Sequence, residues 1–272
     1  MNQLTLEIQD LAVNYGTRQV LAGISLHKVY GGEVIALVGP NAAGKSTFLK
    51  AIAGLVPATG RVLLNGENCL QWSLRERARH IGFMPQALPG DTSLTVLEAT
   101  LAALGGRTAS EGGNGFDALH VLERLGIGEL ALQPLMQLSG GQRQLAALAQ
   151  TVVRGCPLVL LDEPVSALDL AHQWEVMSVT RRLADEGHIV FVVLHDLTLA
   201  ARWADLIAIL HDCRVYSFGR PCNVITERAL HQVWGVRARV RRCEQGHPYV
   251  LVDGPAQASG TDTEFLNLEQ TQ

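Results

Sequence analysis

The sequence has little lysine. Only three of its 22 basic residues are lysines, so arginine carries most of the positive charge. The 22 basic residues stand against 26 acidic ones, which gives a formal net charge of −4. A weakly acidic chain is a poor non-specific nucleic-acid binder, because that affinity comes mainly from neutralising phosphates. We therefore expect no nucleic-acid partner.

Paired cysteines and long apolar runs are also missing. The five cysteines are odd in number and none has CxxC spacing, so neither a disulfide framework nor a zinc site is expected, and a reducing compartment fits best. The first residues lack the basic start and apolar core of a signal peptide. The longest apolar runs, Val34–Val38 and Ile189–Leu194, are far shorter than the roughly 20 residues that span a bilayer. We expect a soluble chain that only a partner could hold at a membrane.

Short apolar runs predict an α/β fold. Residues 4–29 alternate apolar and polar positions, as antiparallel strands do. Val34–Val38, Leu158–Leu161 and Ile189–Leu194 are continuous apolar runs, which suit strands buried on both faces. A helical stretch at about 171–186 separates the last two. Alternating buried strands and helices predict a parallel sheet with ligands at the carboxyl ends of its strands.

Two further regions are distinguished by their composition. Residues of about 88–150 show helical periodicity and predict an inserted helical subdomain, with a mobile glycine-rich loop at 105–115. Residues 223–272 predict a small C-terminal extension with a frayed polar tail, which leaves 1–222 as the main domain. Within the extension, Arg237, Arg239 and Arg241 alternate as on a solvated strand face, and Arg242 follows them.

A glycine-rich loop lies between a predicted strand and a predicted helix. Residues 39–47 read GPNAAGKST and fit the pattern GxxxxGK[ST]. Successive backbone N–H groups in such a loop form a nest for phosphate, and the helix adds its positive dipole end. Lys45 can reach the β- and γ-phosphates, and the hydroxyl of Ser46 can ligate Mg²⁺. The residues expected to bind nucleotide here are Gly39, Pro40, Asn41, Ala42, Ala43, Gly44, Lys45, Ser46 and Thr47.

Two adjacent carboxylates end the second buried strand. Asp162 and Glu163 follow Leu158–Leu161 directly. Adjacent carboxylates are costly unless a cation or a proton lies there. We expect Asp162 to hold Mg²⁺ and Glu163 to polarise the attacking water. Taken alone, the pair could equally be a solvated strand end; its position after a phosphate loop favours function.

A second anion site is predicted at a different helix start. Ser139, Gly140, Gly141 and Gln142 precede the helical run Gln144–Val153, so exposed N–H groups are expected there. Because the chain already has one phosphate cradle, this site is predicted to serve a different nucleotide.

With these three motifs, the sequence resembles the nucleotide-binding subunit of an ATP-binding cassette (ABC) transporter over about residues 2–222. Residues 39–47 match Walker A, 158–163 match Walker B, and 138–142 match the LSGGQ signature. The resemblance implies a P-loop NTPase core of the α/β class, with an antiparallel β subdomain and an inserted α-helical subdomain. It also implies ATP and Mg²⁺ as cofactors.

The resemblance assigns further residues. Tyr15 matches the aromatic residue that stacks on adenine, although strand packing is an alternative. Gln86 matches the glutamine that senses Mg²⁺ and the membrane partner. Ser166 to Asp169 match the D-loop, and His195 matches the histidine that contacts the γ-phosphate. The implied catalytic residues are thus Glu163, His195 and Gln86. The implied metal residues are Ser46, Gln86 and Asp162.

Some positions depart from the family pattern. Ala42 and Ala43 replace the glycine and small residue usual in Walker A. Alanine tolerates a positive φ less well than glycine, so either a little strain or a tightened loop is expected. Leu145 and Gln150 stand where many members carry arginines, which puts in doubt the polar ties between the signature helix and the core.

The resemblance also implies partners. Two subunits pair head to tail, with each ATP between the P-loop of one copy and the signature of the other. A separate membrane permease and, indirectly, a solute-binding protein complete an importer, which places the chain peripherally on the cytoplasmic face of a bacterial inner membrane. Residues 93–98 and 229–236 resemble ATPases of iron-siderophore, haem and vitamin B12 uptake. We expect iron-siderophore complexes, with haem, vitamin B12 or a non-transport ABC ATPase as alternatives.

Overall fold

A six-stranded sheet forms the centre of the fold. The structure, a computed structural model, describes residues 3–86, 92–104, 115–166 and 168–256, without the side chains of 115–117. In sheet order the strands are β10, β9, β3, β8, β7 and β6, and all pairs are parallel except β10 with β9. Their bounds are Val34–Val38 (β3), Ile81–Met84 (β6), Leu158–Leu161 (β7), Ile189–Val193 (β8), Leu206–His211 (β9) and Arg214–Gly219 (β10).

The sheet is covered on both faces, which explains the continuous apolar runs in the sequence. Every residue of β3, β7 and β8 is buried. Along β3, Val34, Ala36 and Val38 belong to one core cluster, whereas Ile35 and Leu37 belong to the other. The predicted buried parallel strands are therefore confirmed.

A second, antiparallel sheet covers one of these faces. Its order is β2, β1, β4, β5, with bounds Thr5–Tyr15 (β1), Arg18–Tyr30 (β2), Thr59–Leu64 (β4) and Glu67–Asn68 (β5). Together with helix α1 (Lys45–Ile52) it supplies most of one core cluster. The alternation read at residues 4–29 thus corresponds to strands with one buried face.

Helices cover the opposite face. Helix α2 (Leu74–His80) buries no residue and does not belong to this layer. The helices of the layer before β8 are α3 (Val96–Ala103), α4 (Gly115–Arg124), α5 (Gly140–Val152) and α6 (Leu170–Asp185). Three of them, α3, α4 and α5, lie between β6 and β7, where the helical subdomain was predicted. Almost all of the loop predicted to be mobile lies outside the described residues.

The C-terminal part packs on the core. Helix α7 (Leu197–Trp203) follows β8, and the later elements are α8 (Pro221–Val224), α9 (Glu227–Trp234), β11 (Val236–Arg242) and β12 (Pro248–Pro255). Val240 and Val250 of the β11–β12 hairpin pack against the core cluster, and β12 contacts α7. The division at residue 222 stays a prediction. Residue 222 lies inside α8, and the core continues past it, since Val224 and Ile225 still belong to the core cluster.

The arginines of β11 are exposed, as predicted for a solvated strand face. Arg237, Arg239, Arg241 and Arg242 are all exposed, and Arg239 pairs with Asp253 at 2.7 Å. The polar tail predicted to be frayed lies beyond Ala256, outside the described residues. Among the residues that the structure describes, no helix is long and apolar enough to cross a bilayer.

Candidate nucleotide-binding and catalytic site

The glycine-rich loop connects β3 to α1 at the carboxyl edge of the sheet. Gly39 has a φ of 147°, and a Cβ there would lie 2.2 Å from the backbone oxygen of Leu210. Gly44 caps α1 in the left-handed region with a φ of 95°. A Cβ at Gly44 would lie 2.8 Å from Cδ2 of Leu21, so glycine is required at both ends of the loop by space and by conformation.

Ala42 confirms the strain expected from the departure in Walker A. Its φ is 63°, in the left-handed region that costs an alanine roughly 1–2 kcal/mol. The loop thus keeps the conformation in which a glycine would be unstrained, and the alanine adapts to it.

Lys45 connects the first turn of α1 to the beginning of the loop. Its Nζ donates to the carbonyl oxygens of Gly39 at 2.8 Å and Pro40 at 2.9 Å. Burial lowers the pKa of this amine, while the charges of Glu163 and Asp162 oppose that shift. The ammonium thus lies within the loop that would cradle phosphate.

Ser46 and Asp162 supply oxygens suited to a divalent cation. Ser46 Oγ donates to Asp162 Oδ1 at 2.8 Å, and only 2% of Asp162 is exposed. Burial raises the pKa of Asp162, while the hydrogen bond from Ser46 lowers it and the charge of Glu163 raises it further. A hydroxyl and a buried carboxylate are hard oxygen ligands, which Mg²⁺ prefers. These residues therefore fit the ion.

Glu163 lies at the convergence of three loops. Its Oε1 is 2.8 Å from Nε2 of His195, and its Oε2 accepts a hydrogen bond from Nε2 of Gln86 at 2.7 Å. The side chain of Glu163 is only 14% exposed, whereas that of His195 is 46% exposed. Of the three residues predicted as catalytic, Glu163 thus contacts both of the others.

The backbone of Glu163 is strained and held in place. Its φ is 54°, a rare value for a residue other than glycine. Its carbonyl oxygen accepts from Ser166 Oγ at 3.0 Å and from Gln144 Nε2 at 3.4 Å. Such strain persists only where surrounding structure fixes it, and it clusters at functional sites. The sequence alone indicates no role for Gln144 and none for Ser166 beyond its D-loop match, because their bonds to residue 163 form only in the folded chain.

A cleft of about 470 Å³ opens beside the loop. Tyr15, 48% exposed, lines it together with the loop, Glu163 and His195, so its ring is free for stacking. Arg18 also lines the cleft and was not predicted from the sequence. The only signal for it was its position three residues after Tyr15, across the β1–β2 turn. The full lining is Tyr15, Arg18, Val20, residues 41–47, Glu163 and His195.

The second predicted anion site is a separate helix start. Ser139 caps α5: its Oγ accepts from the backbone N of Gln142 at 3.3 Å, and its own N–H donates to Gln142 Oε1 at 3.0 Å. Asp169 caps α6 through its carboxylate, which accepts a hydrogen bond from the backbone N of His172. Neither these residues nor Gly140 and Gly141 line the cleft. The chain therefore keeps its two candidate anion sites apart.

The match to a family model decides which family this arrangement belongs to. The model of the ABC transporter family matches residues 21–166, just over half of the 272-residue chain. The chain belongs to the ABC transporter family. The predicted family, fold and ATPase activity of this ABC subunit are thereby confirmed.

Related proteins agree with this assignment. The hemin import ATP-binding protein HmuV of Myxococcus xanthus is 38% identical over 247 residues, covering 87% of this subunit and 92% of the relative. HmuV of Streptomyces coelicolor is 40% identical over 230 residues, covering 82% and 81%. An inward-facing structure of a metal-chelate type ABC transporter has a TM-score of 0.77 at 25% identity and covers 92% of this subunit and 98% of that chain. MJ1267, an ATP-binding cassette with ADP, shares the fold at a TM-score of 0.75 and 21% identity.

Leu145, one of the two positions in α5 that differ from the family pattern, has an apolar environment in the structure. Leu145 is 2% exposed and packs in the core, where it makes an apolar contact instead of an arginine's polar ties. Gln144, one residue earlier, supplies a polar tie to the core through the carbonyl of Glu163. A polar connection between α5 and the backbone of Glu163 is thus present, and Gln144 makes it.

Proposed function

We propose that this ABC subunit hydrolyses ATP to energise haem uptake through a separate membrane permease. The observation that carries the hydrolytic role is Glu163, held between His195 and Gln86 beside the Ser46–Asp162 pair. The cargo is proposed from the HmuV relatives, which are named as hemin import proteins. The sequence by itself favoured iron-siderophore complexes and left haem as an alternative; these relatives favour the alternative.

Iron-siderophore uptake remains the second candidate. The metal-chelate type transporter structure supports it, since that description covers ferric chelates in general. Vitamin B12 is a further alternative. No residue of the ATPase is proposed to touch the cargo, so the distinction requires a transport measurement.

In the proposed site, backbone N–H groups of residues 41–47 and Lys45 bind the phosphates, and the ring of Tyr15 stacks on adenine. Ser46, Asp162 and Gln86 would hold Mg²⁺, which supplies charge neutralisation at the phosphates when bound. Glu163 orients the attacking water and accepts its proton. His195 contacts the γ-phosphate and holds the Glu163 carboxylate in position.

A second copy of the subunit would complete the site. The residues at the start of α5, Ser139 to Gln142, do not line the cleft of their own chain, which supports pairing in which they face the ATP of the other copy. Asp169 at the start of α6 would face the same interface. The second copy and the permease are therefore the proposed direct partners, and a solute-binding protein an indirect one. The subunit would lie peripherally on the cytoplasmic face of a bacterial inner membrane.

The hydrolytic role is tested with Glu163→Gln in the full chain. General-base loss is expected to lower turnover about 10²- to 10⁴-fold while ATP binding is retained. Glu175→Gln, an exposed substitution in α6, is the matched control and should keep wild-type turnover. Unchanged turnover in Glu163→Gln would refute the role of Glu163.

Partner and cargo are tested in native membranes. Glu163→Gln, trapped with Mg-ATP, should co-purify with a polytopic permease that mass spectrometry identifies. Recovery of soluble partners alone would refute the importer assignment. Deleting the subunit should abolish growth on haem as sole iron source and spare growth on ferric siderophores; the reverse pattern would favour the siderophore candidate.

A further inference from the structure

Asp169 and His172 form a closed hydrogen-bonded pair at the start of α6. Asp169 Oδ1 lies 2.9 Å from the backbone nitrogen of His172 and 2.8 Å from its ring Nδ1. A carboxylate only accepts hydrogen bonds, so Nδ1 of His172 is the donor to Asp169 Oδ1. The ring is therefore fixed by the residue that ends the D-loop.

Gly141 lies against the opposite edge of this ring. A Cβ at Gly141 would lie 2.9 Å from Cδ2 of His172, 3.1 Å from Cγ and 3.3 Å from Nε2. Gly141 is not among the residues with a positive φ, so its backbone conformation is open to any residue. A side chain at residue 141 would therefore be opposed by the His172 ring and not by the backbone conformation. At neighbouring Gly140, by contrast, a Cβ would meet nothing within 4 Å.

The imidazole of His172 thus joins two helix starts. On one side it bonds Asp169, the cap of α6; on the other it fills the space beside Gly141, in the first turn of α5. Neither helix start lines the cleft of its own chain. Both are surfaces that the proposed function turns towards a second copy.

We propose that His172 is a positioning residue for ATP hydrolysis. Its ring holds the start of α5 and the carboxylate of Asp169 in one arrangement, so that both meet the nucleotide of the second copy together. The effect on pairing and turnover rests on the proposed function. The contact between His172 and Gly141 does not rest on the proposed function. The contact and its effect on hydrolysis can therefore be tested separately.

A double-mutant cycle in the nucleotide-free chain tests the contact. Gly141→Ala should lower the melting temperature by about 2–6 °C through overpacking. His172→Ala should relieve most of that loss, because it removes the ring that the new methyl group meets. Gly140→Ala, the matched control, should show no coupling to His172→Ala. Additive effects of Gly141→Ala and His172→Ala would overturn the contact.

Conservative variants separate the two edges of the ring. His172→Phe keeps a ring against residue 141 but loses the donor to Asp169, so it should stay sensitive to Gly141→Ala. His172→Asn keeps a donor near Asp169 but frees the space, so it should tolerate Gly141→Ala. Equal sensitivity in both variants would contradict the packing role.

The role in hydrolysis is tested by comparing pairing with binding. In the Glu163→Gln background, His172→Ala should raise the ATP concentration needed for pairing about five- to tenfold, the value of one lost hydrogen bond. Binding of a fluorescent ATP analogue to the single chain should change less than twofold. Equal weakening of both would show a merely structural role and overturn the proposal. If the parent variant binds ATP but does not pair, the proposed pairing fails and the role of His172 with it, whereas the cycle still decides the contact.

Discussion

Replacing Ala42 by glycine should stabilise the nucleotide-free chain. The alanine has a φ of 63°, and the left-handed region costs an L-residue about 1–2 kcal/mol. Glycine removes that strain but loses more backbone entropy on folding, about 0.5–1 kcal/mol. The balance is a gain of about 0.5–1 kcal/mol in the free energy of unfolding, or about 2 °C in melting temperature for a chain of this size.

The assay is urea unfolding without nucleotide, because ligand binding would add its own stabilisation. The matched control is Ala102→Gly, an exposed position in α3 with helical backbone. There the same substitution relieves nothing and should cost about 0.5–1 kcal/mol. The two variants should thus shift stability in opposite directions. If Ala42→Gly destabilises the chain as much as Ala102→Gly does, the strain argument is refuted.

The effects of three further substitutions on stability can be measured in the same nucleotide-free chain. Asp162→Asn should raise the melting temperature and, in an assay with ATP, abolish hydrolysis. Because burial raises the pKa of Asp162, the gain in stability should be full at neutral pH and should shrink as pH falls through that raised pKa. A gain that grew on acidification would contradict this. Gly39→Ala should cost more than 3 kcal/mol in urea unfolding, because its Cβ would lie 2.2 Å from the oxygen of Leu210, whereas Gly16→Ala, with a φ of 59° and open space, should cost about 1 kcal/mol. Arg77→Lys should cost about 1–3 kcal/mol, because the guanidinium donates to three backbone carbonyls that one ammonium cannot match; an unchanged unfolding midpoint would show that those bonds contribute nothing.

The parts of the fold that the sequence predicted well are those in which local pattern and burial coincide. β3 and β7 have the predicted bounds because strands covered on both faces must be apolar at every position. The phosphate loop was equally predictable, since its glycines meet a local backbone requirement. The boundary at residue 222 stays a prediction. No change in composition indicates that the core continues through Val224 and Ile225.

The contacts around Glu163 show what a linear reading misses. Gln86 lies 77 positions from it in the chain, and nothing in the spacing reveals that the two side chains meet at 2.7 Å. The positive φ of Glu163 was likewise unpredictable, because it is imposed by the bonds that hold its carbonyl. A resemblance to a family identifies such residues but does not give their arrangement.

The order of the central strands sets a fixed scale for the site. Lys45, His195 and Glu163 follow β3, β8 and β7, which are consecutive neighbours in the sheet. Neighbouring strands lie about 4.8 Å apart, so the three loops are rooted at regular intervals across about 10 Å. The spacing of the three loops is thus set by backbone hydrogen bonds between strands and not by the reactive side chains. A substitution in one loop can therefore alter the chemistry of that loop without moving the other two. An overpacked residue within β8, by contrast, would shift the distances between the strands while leaving every reactive group intact.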